Sequence, residues 1–169
     1  MEETWQEHPY FTNYKISNHG DVMNKVTGRR LVPSVNAQGI LKISLRKGDV
    51  LLTRSIAVMV ADLYLPPSDN EAFNSIIQLD GNRKNCRADN LMRRPRWFAI
   101  LYHRQFAPER YTWYKRIPWG VIDQATGEEF PSIIDAAVKY GLLFERVYLS
   151  AANQGEESVF PTWQRFVRE

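Results

Sequence analysis

Cysteine is nearly absent from this chain. Cys86 is the single thiol among 169 residues. That excludes a disulfide framework and any zinc site built on this chain's cysteines alone. Histidine is also scarce, with only His8, His19 and His103. No apolar run approaches the roughly 20 residues that span a bilayer. The longest, Ile56 to Ala61, is broken by Asp62. The first residues, Met-Glu-Glu-Thr-Trp, lack a basic start followed by an apolar stretch, so no secretory signal is expected. There is no internal repeat and no low-complexity segment. Together these absences predict a reducing, cytoplasmic setting and no membrane partner.

Large apolar side chains are plentiful. Hydrophobic residues make up 44% and aromatic residues 12%, a composition that buries itself rather than staying solvated. The length allows one ordinary domain or two to three small modules. The net charge is +3, unevenly spread. Residues 83–116 hold ten Lys/Arg against Asp89 and Glu109, whereas residues 116–169 hold five against eight acids. Seven aromatics thread the basic stretch: Trp97, Phe98, Tyr102, Phe106, Tyr111, Trp113 and Tyr114. Cations for phosphates and flat rings for bases or sugars are a pairing suited to nucleic acid. The competing reading is a solvated basic face over an aromatic mini-core.

The pattern predicts an α+β chain. Residues 1–53 read as strands and turns, with alternation in Tyr14–Ser17 and in Gly39–Arg46, and turns at Asn18–Asp21, Thr27-Gly28 and Lys47–Asp49. Ile56, Met59, Val60 and Leu63 recur at helical spacing over 54–65, with Ser55 as the candidate cap and Pro66-Pro67 as the stop. A strand at Ser75–Leu79, a turn at Asp80-Gly81-Asn82 and a short helix over Asn85–Leu91 follow. Pro95, Pro108 and Pro118 suggest an extended linker containing short helices. Strands at Trp119–Asp123 and Glu128–Phe130 precede a helix from Ile133 to Tyr140, capped by Ser132 and closed by Gly141. A second helix over Phe144–Ala152 completes a helix-turn-helix pattern, and a strand over Thr162–Val167 ends the chain. The second helix has no Ser, Thr or Asp cap and an acid, Glu145, in its first turn, so its start is poorly suited to phosphate.

Three stretches carry a resemblance. Tyr14-Lys15-Ile16-Ser17-Asn18-His19-Gly20-Asp21-Val22 resembles the nuclease-associated β-rich module of intron-type HNH homing endonucleases. Asp80-Gly81-Asn82-Arg83-Lys84-Asn85, continuing to Asn90-Leu91, resembles their HNH ββα-metal module. Phe130-Pro131-Ser132-Ile133, Asp135-Ala136-Ala137, Tyr140-Gly141-Leu142 and a closing Trp163 resemble the helix-turn-helix module behind such nucleases. The resemblance implies four segments: a β-rich DNA-binding module (1–53), an HNH-like ββα module (54–94), a basic and aromatic linker (95–117) and a helix-turn-helix module (118–169).

The chain departs from the pattern where the chemistry belongs. In the family, an Asp or Asn followed by His precedes the Leu79-Asp80-Gly81-Asn82 stretch and supplies a metal ligand and the general base. Here Ile77 and Gln78 stand there, and Gln78 does not titrate. The position of the second ligand falls at Ala99, and that of a further family His at Ala57. The resemblance therefore implies a degenerate nuclease scaffold that keeps DNA binding, with no metal and no cofactor. Candidate DNA contacts are Arg29, Arg30, Lys42, Arg46, Arg83, Lys84, Arg93, Arg94, Arg96, Trp97, Trp113, Lys115, Arg116, Arg146 and Tyr148. The partner expected is double-stranded DNA and the role that of a phage-encoded regulator, acting as a monomer by family analogy. Two alternatives stand beside it. One is a module that binds a host or phage protein through the basic linker or the acidic C-terminal module. The other is a metal-dependent nickase with a site relocated to His103 and Asp80. Asn82, Asn85 and Asn90 are expected to hold the turn by bonding backbone.

Overall fold

A computed structural model describes residues 2–169. The chain forms two compact units, one ending at Arg96 and one spanning Trp97–Glu169. The first opens with an antiparallel sheet of β1 (Trp5–Glu7), β2 (Tyr14–Ser17) and β3 (Val22–Asn24). A second antiparallel sheet holds β4 (Ser34–Val35), β5 (Leu41–Lys47) and β6 (Val50–Ser55), with β5 in the middle. Helix α1 (Ile56–Tyr64) follows, then a strand pair, β7 (Ser75–Gln78) with β8 (Leu91–Arg94). One core joins these elements. Ile16, Val22, Ile43, Leu45, Ile56 and Val60 are all but fully buried in it, together with Cys86 and Leu91. Residues on both sides of position 53 thus share a single apolar interior.

Two positions show why this interior closes. Gly20 has φ +93°, and a Cβ there would lie 3.0 Å from the Cβ of Cys86, so the turn after β2 accepts only glycine. The Ala88 N–H donates to Asn18 O at 2.8 Å in the same place. Ser55 does sit at the N-cap of α1, but its hydroxyl makes no cap bond. The helix is held by burial of Ile56, Ala57, Met59, Val60 and Ala61 instead.

The second unit contains α2 (Arg96–Arg104), α3 (Pro108–Lys115), β9 (Val121–Asp123), β10 (Glu129–Phe130), α4 (Ile133–Tyr140), α5 (Phe144–Ala152) and β11 (Phe166–Arg168). Helix α2 begins at Arg96 itself. Its sheet runs β10-β9-β11, antiparallel throughout. Ser132 caps α4 by accepting from Asp135 N–H at 3.1 Å, and left-handed Gly141 (φ 61°) ends it.

The short helices expected within residues 95–117 are α2 and α3, and they fill most of the segment, leaving little of it extended. Phe98 and Tyr102 are fully buried, and Phe106, Tyr111 and Tyr114 pack around Phe144, with ring centroids 5.1, 6.1 and 5.5 Å from it. The hydrophobic gain of about 1.5–3 kcal/mol per ring outweighs any preference for an open chain. The helix over Asn85–Leu91 shrinks to a 3₁₀ turn, Ala88–Asn90, because Asn side chains bond the neighbouring backbone. The last strand starts at Phe166 rather than Thr162. Residues 159–164 form a turn closed by Val159 N–H to Gln164 O and Trp163 N–H to Val159 O, at 2.8 and 2.7 Å.

Candidate nucleic-acid interface

The β4–β6 sheet presents the best-formed polar face of the first unit. Along β5, Ile43 and Leu45 point into the core, so Lys42, Ser44 and Arg46 point out. Directly paired residues share a face, which places Ser34, Thr53 and Ser55 beside them. The Ser44 and Thr53 hydroxyls lie 2.9 Å apart. A shallow groove of about 860 Å³ borders this face, lined by Thr27, Arg29, Val32, Ser34, Lys42 and Ser44 among others. Arg29 and Arg46 are exposed. Ser34 and Thr53 were not singled out from sequence. The two-residue turn Gly48-Asp49 would have given Thr53, since counting back from it fixes the register Ser44 to Thr53, whereas Ser34 comes from the β4–β5 pairing.

Other basic candidates have different surroundings. Arg30 is engaged by Asp21 at 2.7 Å, Glu3 at 3.4 Å and the Trp5 ring at 5.1 Å. Arg93 pairs with Asp62 at 3.1 Å and also donates to Ala61 O. Arg94 is buried and donates to Arg93 O. Arg83 reaches Gln38 O at 3.3 Å, while Lys84 is exposed in the next turn position. These bonds position the chain; Arg29, Lys42, Arg46 and Lys84 remain the better-presented cations of this unit.

Arg96, the last residue of the first unit, is exposed, as are Trp97, Arg116 and Arg146 of the second. Trp97 stacks on Phe160 at 5.5 Å. Trp113 meets Tyr148 at 5.5 Å, Tyr148 also meets Trp119, and the Lys115 ammonium sits over Tyr111. The missing cap of α5 comes from 39 residues upstream. Buried Gln105 accepts from Phe144 N–H at 2.8 Å and donates to Leu142 O at 3.3 Å. That bond satisfies the first N–H of α5. A local window around Leu143 carries no trace of it.

The stretch that resembles the HNH module lies on the strand pair β7–β8 and its connecting turn. Ile77 and Gln78 are both buried, with Gln78 opposite Leu91. Asp80 anchors the turn. Its Oδ1 accepts from Asn82 N–H at 2.8 Å and Asn90 Nδ2 at 3.0 Å, and its Oδ2 from Asn85 Nδ2 at 2.7 Å. Asn90 Oδ1 accepts in turn from Asp80 N–H, and Asn82 Oδ1 from Lys84 N–H. The three asparagines therefore hold the turn, as their types and spacing predicted. Ala99 is buried on α2 and offers only a methyl group. Cys86 is buried beneath the turn, and burial pushes its thiol up to about 11. Among the described residues, no three His, Cys, Asp or Glu side chains gather where they could hold a metal ion. His103 Nδ1 lies 2.9 Å from Ala99 O. Ile77 and Ala99 offer a divalent ion no side-chain donor and buried Gln78 offers a single neutral amide oxygen, so the HNH ligand set does not fit here, while Asp80 accepts hydrogen bonds from the turn through both oxygens.

This fold has a counterpart of known structure. The whole chain aligns with 98% of the HNH homing endonuclease I-HmuI, at a TM-score of 0.53 and 21% sequence identity, in a structure titled for that enzyme's DNA binding and cleavage. This is an HNH homing-endonuclease-like fold. In sequence, 91 residues are 31% identical to an uncharacterized HNH endonuclease, L245, of Acanthamoeba polyphaga mimivirus. They cover 54% of this chain and about a quarter of that relative's length. No family model matches the chain. Among the described residues, no helix of this HNH-like protein is long and apolar enough to cross a membrane.

Proposed function

We propose that this HNH-like protein binds double-stranded DNA without cutting it, in the manner of a regulator. The carrying observation is the make-up of the β7–β8 module. A side chain that does not titrate, Gln78, stands where a general base belongs, and Asp80 spends both oxygens on the asparagine turn. The binding half of the reading is supported by the outward Lys42, Ser44, Arg46 and Thr53 and the groove edged by Arg29. Lys84 and the exposed Arg96, Arg116 and Arg146 are further candidates for phosphate contacts. If about five phosphates are neutralised, log K falls against log salt with a slope of about −4.5.

The test is binding of the purified chain to a pool of genomic fragments in EDTA at several salt concentrations, beside a plasmid-nicking assay in Mg²⁺ and Mn²⁺. Enrichment of a few fragments with a steep salt slope and no nicking is expected. Gln78→His alone is expected to leave the plasmid intact, because Ile77 and Ala99 still lack donors. Metal-dependent nicking by the unaltered chain would return the reading to a nickase, and the absence of fragment binding would remove the DNA reading.

A further inference from the structure

A second groove, of about 450 Å³, lies wholly within the second unit, where α2, α3 and the start of α5 meet. Its walls are Leu101, Trp113, Tyr114 and Leu143, and its edges carry Glu109, Arg110 and Glu145. Leu101 is 40% exposed and Trp113 51% exposed, so two large apolar side chains face a concave surface. Glu109 lies in the first turn of α3 and Glu145 in the first turn of α5. Neither carboxylate has a hydrogen-bonding or ion-pair partner among the described residues. Two acids against one guanidinium leave the edge negative. Burial first, and then the Glu145 charge, push the Tyr114 phenol up, against the opposing charge of Arg110.

We propose that this groove docks a segment of a partner protein in which an apolar side chain stands next to a lysine or arginine. The volume falls within the range of ordinary ligand sites. An exposed indole beside a half-buried phenol in a concavity belongs to the side chains that most often anchor protein contacts. Charge complementarity selects the neighbour of the anchor: an ammonium or guanidinium between Glu109 and Glu145. The same carboxylates repel phosphate, so this groove and the basic groove of the first unit take different partners. The inference is independent of the DNA reading.

The test pans the full chain against a displayed library of random peptides and remeasures the best sequence as a synthetic peptide. Peptides pairing Lys or Arg with an aromatic or aliphatic neighbour are expected. Their binding should weaken at least tenfold in Glu109→Gln/Glu145→Gln, weaken with added salt, and perturb an indole emission that Trp113→Phe removes. The double glutamine variant conserves shape, and its circular dichroism and thermal midpoint serve as the folding control. Failure to enrich any consensus, enrichment of acidic peptides, or equal binding to the double glutamine variant would overturn the proposal. Fragment binding of that variant to DNA is read in parallel. It stays unchanged if the groove alone fails, so the two readings fail separately.

Discussion

In the first unit, a groove beside β5 is edged by Arg29 and Lys42; in the second, a groove beside α3 is edged by Glu109 and Glu145. The first adjoins hydroxyls and cations on the outer face of a sheet, the second exposed leucine and tryptophan between helices. Net charge hides this contrast, because a single total of +3 says nothing about where the charges sit. The basic stretch 83–116 teaches the same lesson from inside. Phe106, Tyr111 and Tyr114 pack around Phe144 and Phe98 and Tyr102 are buried, whereas Trp97 and Trp113 stay more than half exposed.

The contrast can be broken from the inside first. Phe144→Ala removes the ring that Phe106, Tyr111 and Tyr114 pack against, and is expected to cost about 3–5 kcal/mol in urea unfolding. The peptide groove should go with it. Charge reversal of Lys42 and Arg46 to Glu should weaken DNA binding on all sequences and lower the salt slope by about two, while peptide binding holds. Equal loss in both assays would mean that the two surfaces are not separate. Gln105→Ala should cost about 1–2 kcal/mol, since Phe144 N–H is left buried without its acceptor.

Acid should also weaken the second unit. Burial raises the Asp123 carboxyl, but bonds from Ala125 N–H, Tyr140 Oη, Thr126 Oγ1 and Gln164 Nε2 outweigh it and hold the group below its ordinary value. A depressed folded pKa stabilises the fold above the unfolded value, and this stability is lost as pH falls through the folded one. Acid unfolding of Asp123→Asn should be flatter in that range. The smallest effect belongs to Cys86. Buried and with its thiol near 11, it should resist Ellman's reagent at neutral pH until denaturant is added.

Much of the fold was legible because it is written in local pattern. Alternation gave β5, and Ser132 with Gly141 bounded α4 closely. That Ile77 and Gln78 carry no titrating group was equally plain, since residue type is read directly from the sequence. Polar bookkeeping across distance was not legible. Nothing near Arg30, Arg93 or Arg94 in sequence says that Asp21, Asp62 or burial holds them.

The residue types alone determined that Ile77 and Ala99 offer no side-chain donor and that Gln78 does not titrate, because those properties reside in the side chain itself. The tertiary structure decided which cations face outward and which rings are walls. It also decided that α5 is capped by Gln105, because hydrogen bonds and burial are made by whichever groups folding brings together, 39 residues apart or adjacent.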